Sequence, residues 1–457
     1  MLTVEEIKKV TRGTFVQGSI SSTVTGVSID SRKIGKGNAF IAIKGERFDG
    51  HDFIRKAVRN GATVVISSKK IVCSRDVTVI GVKDTTKALG QIAAWHRQRF
   101  SIPVVAITGS TGKTTTKEMI ASVLAKRFKV LKNVGTENNQ YGVPLTLLKL
   151  KASHQVAVLE LGTNQPGDIR WLAKIARPTM GIFTNVGESH LKRLRTPAGV
   201  LREKAQLIKY MEPGGVVILN GDDRYLATLP KKYKKQRMVR FGCGKESGHR
   251  ADDVVVRDNR SLHFKVQRHV FKINSPATHN VYNALAAISC GRVFKIRYND
   301  IIAALSRFSF RGGRQEIRKI GQFWLIDDTY NANPVSLKSA VSTLDTLRIK
   351  GKRIVICADM LELGLRSVAL HRSAGEMIGR SRADIVLTTG CHARHITHEL
   401  KRAKGSITAL HCRDLKEVQK RLKGFCRPGD AVLIKGSRGM HMERIVTFLN
   451  THFKNFS

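Results

Sequence analysis

A strand-like apolar segment that runs directly into a glycine-containing turn constrains this chain more than any other stretch. Residues 104–108 are Val-Val-Ala-Ile-Thr, and they lead into Gly109-Ser110-Thr111-Gly112-Lys113-Thr114-Thr115. Such a turn points backbone N–H groups at a phosphate, and the helix that starts behind it adds partial positive charge. The pattern predicts a nucleoside-triphosphate site in which Lys113 reaches the β- and γ-phosphates and the Thr114 hydroxyl binds Mg²⁺.

The turn is shorter than the common P-loop, G-x-x-x-x-G-K-[ST]. Ile107 stands where that pattern has its first glycine. This departure excludes the ordinary P-loop GTPases and motor ATPases. An ordinary glycine-rich turn is a weak alternative, because Gly-Lys-Thr follows a strand and opens a helix, which is the context that the motif requires.

The composition indicates a globular protein of several domains. The chain has 457 residues, of which 42% are apolar, and this length allows two to four domains. We expect neither membrane insertion nor secretion, since no apolar run approaches the length of a membrane span and the N-terminus lacks a long apolar core. The seven cysteines are scattered without C-x-x-C spacing, which favours reduced thiols and a cytoplasmic location.

The formal net charge of +45 is the unusual feature of the composition. It favours anionic ligands and non-specific binding to nucleic acid. The basic residues are spread along the whole chain, so a general basic bias on solvated faces explains them better than a dedicated nucleic-acid site. A basic, nucleic-acid-associated NTPase is the alternative from another functional class.

Alternating strand and helix patterns predict an α/β protein of three units. The predicted boundaries are 1–100, 101–313 and 314–457, with residues 311–314 as a linker. Strands are predicted at 39–43, 63–67, 77–82, 156–161, 180–185, 216–220, 323–326, 353–358, 385–389 and 431–435, and a helix is predicted to begin near Asp84.

Two strands of the middle unit are followed by residues that suit metal binding. Glu160 ends a buried strand, and ligands of α/β sheets lie beyond the carboxyl ends of strands; a carboxylate there is a candidate Mg²⁺ ligand or one partner of an ion pair. His190 follows the strand at 180–185, and on spacing alone it is a structural histidine. Lys204 lies in a basic helix pattern, which by itself predicts a solvent-facing side chain.

Three further polar groups each leave two interpretations open. Asn138 and Asn139 mark either a turn or a binding loop. His279, Asn280 and Asn283 either cap a helix or meet a base, and spacing alone favours capping. Residues 327–334, Asp-Asp-Thr-Tyr-Asn-Ala-Asn-Pro, form either an Asx-rich turn or a site in which Asp328 binds a ribose or a substrate amine. In the first unit, small polar residues suit a nucleotide-sugar: Ser31, Lys44, Asp49 and His51.

Together these motifs, in this order over essentially the whole chain, resemble those of the Mur ligase family. These are ATP-dependent, amide-forming enzymes of bacterial cell-wall synthesis. The Tyr330-Asn331-Ala332-Asn333-Pro334 motif resembles the branch that adds D-alanyl-D-alanine to UDP-N-acetylmuramoyl-tripeptide. The Asp-Asn-Pro-Arg type of motif found in the amino-acid-adding branch is not present. Another Mur ligase or a folylpolyglutamate synthetase is the nearest alternative enzyme.

The resemblance implies three α/β domains: a UDP-binding domain, a central mononucleotide-binding domain with a mostly parallel sheet, and a Rossmann-like C-terminal domain. It implies cytoplasmic peptidoglycan synthesis by a monomer, without specific nucleic acid. It also implies ATP, Mg²⁺ and a carbamylated lysine, with Lys113, Lys204 and His190 in catalysis. The implied Mg²⁺ ligands are Thr114, Glu160, His190 and carbamylated Lys204. The implied ATP-binding residues are Gly109, Ser110, Thr111, Gly112, Lys113, Thr114, Thr115, His279, Asn283, Arg314 and Asp328. The implied substrate-binding residues are Ser31, Lys44, Asp49, His51, Asn138, Asn139, Tyr330, Asn331 and Asn333.

Overall fold

The computed structural model describes residues 2–310, 312–403 and 405–453. Its larger sheets have five, nine and six strands, and each of the three predicted units contains one of them. The α/β class is therefore confirmed. The predicted strands are all present, and their ends lie within two residues of the predicted ones. Of the predicted linker, Arg311 lies outside the described residues.

The first unit is a five-stranded sheet, in the order β2-β7-β6-β5-β4, with a small β1–β3 pair beside it. A helix, α3, begins directly after Asp84, whose carboxylate caps it. The elements are β1 (Leu2–Thr3), α1 (Val4–Thr11), β2 (Thr14–Gln17), β3 (Thr23–Val24), β4 (Gly26–Ser28), β5 (Asn38–Ile41), α2 (Ile54–Arg59), β6 (Ala62–Ser67), β7 (Thr78–Gly81) and α3 (Thr85–Gln98).

The central unit is a nine-stranded sheet in the order β16-β15-β14-β13-β12-β11-β8-β10-β9. Its strands are parallel from β9 to β14, and β14 to β16 form an antiparallel meander. Its strands are β8 (Val104–Thr108), β9 (Val130–Lys132), β10 (Val156–Glu160), β11 (Met180–Phe183), β12 (Val216–Asn220), β13 (Arg237–Gly242), β14 (His249–Arg257), β15 (Ser261–Val266) and β16 (His269–Ile273). Its helices are α4 (Lys113–Leu124), α5 (Gly142–Leu147), α6 (Asp168–Ala176), α7 (Leu191–Leu194), α8 (Pro197–Lys204), α9 (Gln206–Lys209), α10 (Leu229–Lys232), α11 (Asn280–Val293) and α12 (Tyr298–Ser306).

The third unit is a six-stranded sheet in the order β17-β18-β22-β19-β20-β21, parallel except at β17. Its strands are β17 (Glu316–Ile320), β18 (Phe323–Asp328), β19 (Arg353–Ala358), β20 (Ile385–Thr389), β21 (Thr408–Cys412) and β22 (Ala431–Lys435). Its helices are α13 (Pro334–Thr346), α14 (Ser367–Gly379), α15 (Arg394–Arg402), α16 (Leu415–Phe425) and α17 (Glu443–His452).

Burial of the central strands fixes where polar groups can emerge. All five residues of β8 are buried, as are those of β10 and β12, as expected for parallel strands covered by helices on both faces. Helix α4 packs on α11, and α3 of the first unit packs on α5 and α6. At that second contact Gly90 touches Trp171, where a Cβ would come within 2.4 Å of the indole ring. No helix among the described residues is long and apolar enough to cross a membrane.

Candidate active site

A cleft of about 640 Å³ opens at the carboxyl ends of β8, β10 and β11, opposite the corresponding end of the third sheet. Asp84, Thr86 and Lys87 of the first unit also line it. The sequence-predicted residues that line it are Ser110, Thr111, Gly112, Lys113, Thr114, Thr115, Asn138, Asn139, Glu160, His190, His279, Asn283, Arg314, Asp328, Tyr330, Asn331 and Asn333.

The turn after β8 is held in place by the segment that follows β11. Thr111 N–H donates to Asn185 Oδ1 at 2.9 Å, and Ser110 N–H donates to the Asn185 carbonyl at 3.0 Å. Thr116 N–H donates to the Gly112 carbonyl, while the N–H groups of the first turn of α4 have no partner within the helix. These N–H groups are the ones that remain for an anion in the cleft.

Both glycines of the turn are required by close contacts. A Cβ on Gly109 would lie 1.8 Å from Thr184 Oγ1, and one on Gly112 would lie 2.5 Å from Asn283 Oδ1. Gly112 also has a φ of +76°, which disfavours other residues. The turn thus fits directly against its neighbouring elements.

Lys113 and Lys204 converge under this turn. The Nζ of each donates to the Gly109 carbonyl, at 2.9 Å in both cases. Lys204 is 1% exposed, so the solvent-facing interpretation is wrong. Burial, followed by the charge of Lys113, holds the pKa of Lys204 well below its usual value. Burial also lowers the pKa of Lys113, against the opposing effect of Glu160.

The helix that carries Lys204 is anchored at both ends. The Thr196 hydroxyl caps the start of α8. Near its end, the Glu203 carboxylate accepts from Gly167 N–H at 2.9 Å and Ile169 N–H at 2.8 Å, where α6 begins. These contacts bring Lys204, fourteen positions after His190 in sequence, back beneath the turn that follows β8.

Glu160 joins the turn to the loop that carries Asn138. One carboxylate oxygen accepts from the Thr114 hydroxyl at 2.6 Å, and the other accepts from Asn138 Nδ2 at 2.7 Å. Among the described residues Glu160 has no ion-pair partner, so the ion-pair alternative fails. Asn139 instead accepts from the N–H groups of Tyr141 and Gly142, which is the turn interpretation.

His190 contacts the third unit. Its Nδ1 lies 2.6 Å from the Glu362 carboxylate. The hydrogen bond lowers the pKa of Glu362. The imidazole still lines the cleft, so it is not a core histidine.

The start of α11 lines another part of the cleft, through His279 and Asn283. His279 makes no capping hydrogen bond, so the capping interpretation is wrong. Its Nδ1 is buried without a partner among the described residues, and burial lowers the pKa of His279 to about 4. Asn283 accepts from Thr116 Oγ1 at 3.1 Å and donates to Asn280 at 2.8 Å. The asparagines thus tie α11 to α4 and leave a polar atom of His279 for a ligand.

The third unit contributes a buried ion pair and an aromatic bridge. Asp328 lies 2.5 Å from Lys435 Nζ, and the side chains are 11% and 1% exposed. Tyr330 donates to Thr136 Oγ1 at 2.6 Å, and the Arg314 guanidinium lies 3.7 Å from its ring centroid. Asn333 caps α13 through Ser336, which agrees with the Asx-rich turn, and the binding of a ribose or a substrate amine by Asp328 stays a prediction.

Three family models match this chain, and each matched range contains most of one of the three large sheets. The model described as Mur ligase family, catalytic domain, matches residues 23–97, the Mur ligase middle domain matches residues 107–291, and the Mur ligase, glutamate ligase domain, matches residues 313–438. The chain belongs to the Mur ligase family.

Individual relatives of this Mur ligase match over nearly its full length. The UDP-N-acetylmuramoyl-tripeptide–D-alanyl-D-alanine ligase of Bacillus subtilis is 34% identical and covers 97% of both chains, and that of Escherichia coli is 33% identical over 93% and 94%. A crystal structure of MurF from Acinetobacter baumannii has a TM-score of 0.90 at 29% identity and covers 98% of both chains. MurF ligase from Thermotoga maritima in complex with ADP has a TM-score of 0.83 at 29% identity, covering 94% of this chain and 98% of that one.

Four residues predicted for the first domain of this Mur ligase lie elsewhere than the cleft. Asp49 accepts from His51, both at its backbone N–H and at Nδ1, and pairs with Lys69 at 2.9 Å. The backbones of Lys44 and Asp49 form an isolated antiparallel β-bridge. The Ser31 carbonyl accepts a hydrogen bond from the Asn60 side chain. Their assignment to a nucleotide-sugar stays a prediction.

The sequence analysis missed three residues that lie in the cleft of this Mur ligase or support it from outside. Lys435 ends β22 just as Glu160 ends β10, and the same strand-end rule would have found it. Lys117 is fully buried and donates to the carbonyls of Asn133 and Gly135, which fixes the loop before Asn138. Glu362 lies in no recognisable motif, and only the docking of the third domain reveals it.

Proposed function

We propose that this chain joins the carboxylate of UDP-N-acetylmuramoyl-tripeptide to the amine of D-alanyl-D-alanine at the expense of ATP, giving the pentapeptide precursor of peptidoglycan. The observation that best supports this reaction is the convergence of Lys113 and Lys204 beside the Thr114–Glu160 pair. Such a reaction brings several anionic groups together, and Lys113, with Mg²⁺ held by Thr114, Glu160 and a carbamylated Lys204, would supply the opposing charge.

ATP fits the wall between the central and third domains. The first turn of α4 supplies N–H groups for the phosphates, and Lys113 supplies a positive charge. The unpartnered Nδ1 of His279 offers one polar atom to the base. Asp328 and Arg314 line the same wall, where a carboxylate suits a ribose hydroxyl and a guanidinium suits a base or phosphate.

The residues present also fit Mg²⁺, a hard cation that prefers oxygen ligands. The Thr114 hydroxyl and the Glu160 carboxylate already lie 2.6 Å apart at the phosphate turn. We assign one ion to them and a second to His190 and carbamylated Lys204. The ions supply Lewis-acid stabilisation of charge on the transferring phosphoryl group.

Lys204 suits carbamylation. Its buried amine has one hydrogen bond among the described residues, to the Gly109 carbonyl, and its lowered pKa keeps an uncharged fraction. That amine attacks CO₂, an N–C bond forms, and one proton leaves to solvent. The carbamate is an anion, so it relieves the repulsion between two neighbouring lysines and offers oxygen to a cation.

The reaction then has two steps. The tripeptide carboxylate attacks the γ-phosphate, giving an acyl phosphate and ADP. The amine of D-alanyl-D-alanine attacks that carbonyl, and the tetrahedral intermediate expels phosphate. Lys113 stabilises the charge on the phosphoryl oxygens, and closure of three domains around the cleft keeps water from the acyl phosphate.

The third-domain residues favour a dipeptide over a charged amino acid. Tyr330, Asn331 and Asn333 place neutral amide and hydroxyl groups on the cleft wall. A site built for a peptide group leaves its polar atoms unpaired when a lone amino acid binds.

The test is ATP-dependent product formation with the UDP-tripeptide and each of D-alanyl-D-alanine, meso-diaminopimelate and L-lysine. Of the three amine substrates, we expect only D-alanyl-D-alanine to give product with the UDP-tripeptide. If UDP-MurNAc-dipeptide plus a diamino acid gives more product than the tripeptide plus dipeptide, the chain is an amino-acid-adding ligase. Tight DNA binding that persists at high salt, without ligase activity, would instead favour the NTPase alternative.

We further propose that the enzyme works as a cytoplasmic monomer. All three domains of one chain line the cleft, so no second copy is needed to complete it. The seven cysteines are free thiols, which fits a reducing compartment.

A further inference from the structure

A short segment of the third domain docks beside His190. The Glu362 carboxylate lies 2.6 Å from His190 Nδ1, and the Glu362 carbonyl accepts from Lys192 N–H at 3.0 Å. Next to it, a Cβ on Gly364 would lie 3.1 Å from Lys192 Cα. The contact therefore involves backbone and side chain on both sides, and it aligns one carboxylate with one imidazole.

The backbone at this contact is strained on both sides. His190 has a φ of +54° and Glu362 a φ of +64°, and neither is a glycine. A left-handed backbone is unfavourable for any residue that carries a Cβ. The Glu362 side chain is 54% exposed, and exposed contacts of a carboxylate add little to stability. Stability therefore does not account for the arrangement, and strain of this kind collects at functional sites.

The hydrogen bond fixes where the imidazole carries its proton. A carboxylate can only accept, so His190 Nδ1 must donate. In the neutral ring the lone pair is then on Nε2, the nitrogen left for the cleft that His190 lines. Carboxylates that hold a metal-binding histidine in this way set both its tautomer and its orientation.

We propose that Glu362 is a positioning residue for magnesium binding, acting through His190. This inference rests on the proposed function, because it takes His190 as a Mg²⁺ ligand. Glu362 belongs to the third domain and His190 to the central domain, so the ligand is oriented only while the two domains are docked. The third domain then supplies part of the metal site without touching the metal.

The same interface provides a matched control. Arg366 pairs with Glu188 at 3.0 Å, and this contact also links the third domain to the segment before His190. Arg366→Gln removes an interdomain ion pair and leaves the imidazole contact in place, so it reports on docking alone.

The first test is nitrogen-15 NMR of histidine-labelled protein without metal or nucleotide, with the His190 signal assigned from His190→Gln. We expect the Nδ1–H tautomer in wild type and in Arg366→Gln. In Glu362→Gln and Glu362→Ala we expect a mixture or the Nε2–H form, with wild-type folding by circular dichroism. A His190 that keeps the Nδ1–H tautomer in both Glu362 variants overturns the inference.

The second test is the Mg²⁺ dependence of product formation with UDP-tripeptide and D-alanyl-D-alanine. We expect Glu362→Gln to raise the half-saturating Mg²⁺ concentration about 10–100-fold, with the KM for D-alanyl-D-alanine unchanged, and Arg366→Gln to stay within about twofold. Equal effects of both variants, or none, overturn the inference. A wild type that forms no product refutes the proposed function and this inference together, whereas an active wild type with an insensitive Glu362→Gln refutes the inference alone.

Discussion

Lys113 and Lys204 donate to a single oxygen, the carbonyl of Gly109, each at 2.9 Å. Two cationic side chains on one neutral acceptor repel each other, and the charge of Lys113 contributes to the lowered pKa of Lys204. Glu160 interacts with Lys113 but does not balance both lysines, so the pocket beneath the turn after β8 lacks enough negative charge. A phosphoryl group and a carbamate would supply it, and each lysine plays a separately testable part.

Lys113→Ala should remove phosphate release while leaving the protein folded. The turn keeps its contacts to Asn185, but the charge on the transferring phosphoryl group is no longer neutralised, so we expect kcat to fall at least about a hundredfold. Malachite-green phosphate release with both substrates measures this, and circular dichroism checks the fold. Wild-type release by a folded variant would remove the phosphate-turn assignment.

Lys204→Ala should be nearly inactive and partly restored by acetate. The small carboxylate can occupy the space of the lost carbamate and supply the missing anionic oxygens. The control is Lys209→Ala, since Lys209 is exposed on the next helix, and it should keep wild-type activity without any response to acetate. An active Lys204→Ala without added carboxylate contradicts the carbamate.

Lys435→Met should destabilise the third domain by about 3–5 kcal/mol, because it leaves Asp328 as a buried, unpaired carboxylate. The double variant Asp328→Asn with Lys435→Met should regain most of that stability, since neither charge remains. Urea unfolding of the wild type, the two single variants and the double variant measures this. We expect the double variant to have a higher KM for ATP than the wild type even though its stability is mostly regained. This result would separate the role of Asp328 in ATP binding from its role in the stability of the pair. Additive losses would show that the two side chains do not interact.

Acid should weaken the protein partly through His279. Its folded pKa, about 4, lies below the unfolded value of 6.5, so the unfolded chain binds a proton first as the pH falls. The stability that neutral His279 contributes is complete above pH 6.5 and is lost between 6.5 and about 4, by at most about 3 kcal/mol. His279→Gln should reduce the fall in urea midpoint between about pH 7.5 and about pH 5. His441→Gln, whose side chain is 59% exposed, should keep the wild-type fall; an unchanged slope in His279→Gln would contradict a buried neutral imidazole.

Much of the fold followed from the order of residues. The apolar runs of β8, β10 and β12 predicted strands, and Asp84 marked the start of α3, because hydrophobic patterning and capping act locally. The phosphate turn was predicted for the same reason. Lys204 and His279, by contrast, were misjudged on local pattern alone, since a basic helix predicts exposure and a helix start predicts a cap.

The sequence by itself determined the strands, the glycine-containing turn after β8 and the strand-end position of Glu160, because each depends on residues that are neighbours in the chain. Only the tertiary structure decided that Lys204 lies buried against Gly109, 95 residues away, and that Glu362 meets His190 across 172 residues. Neither contact has a local signal. Both arise because packed helices and docked domains bring distant segments together, and burial then changes the charge state that a side chain can hold.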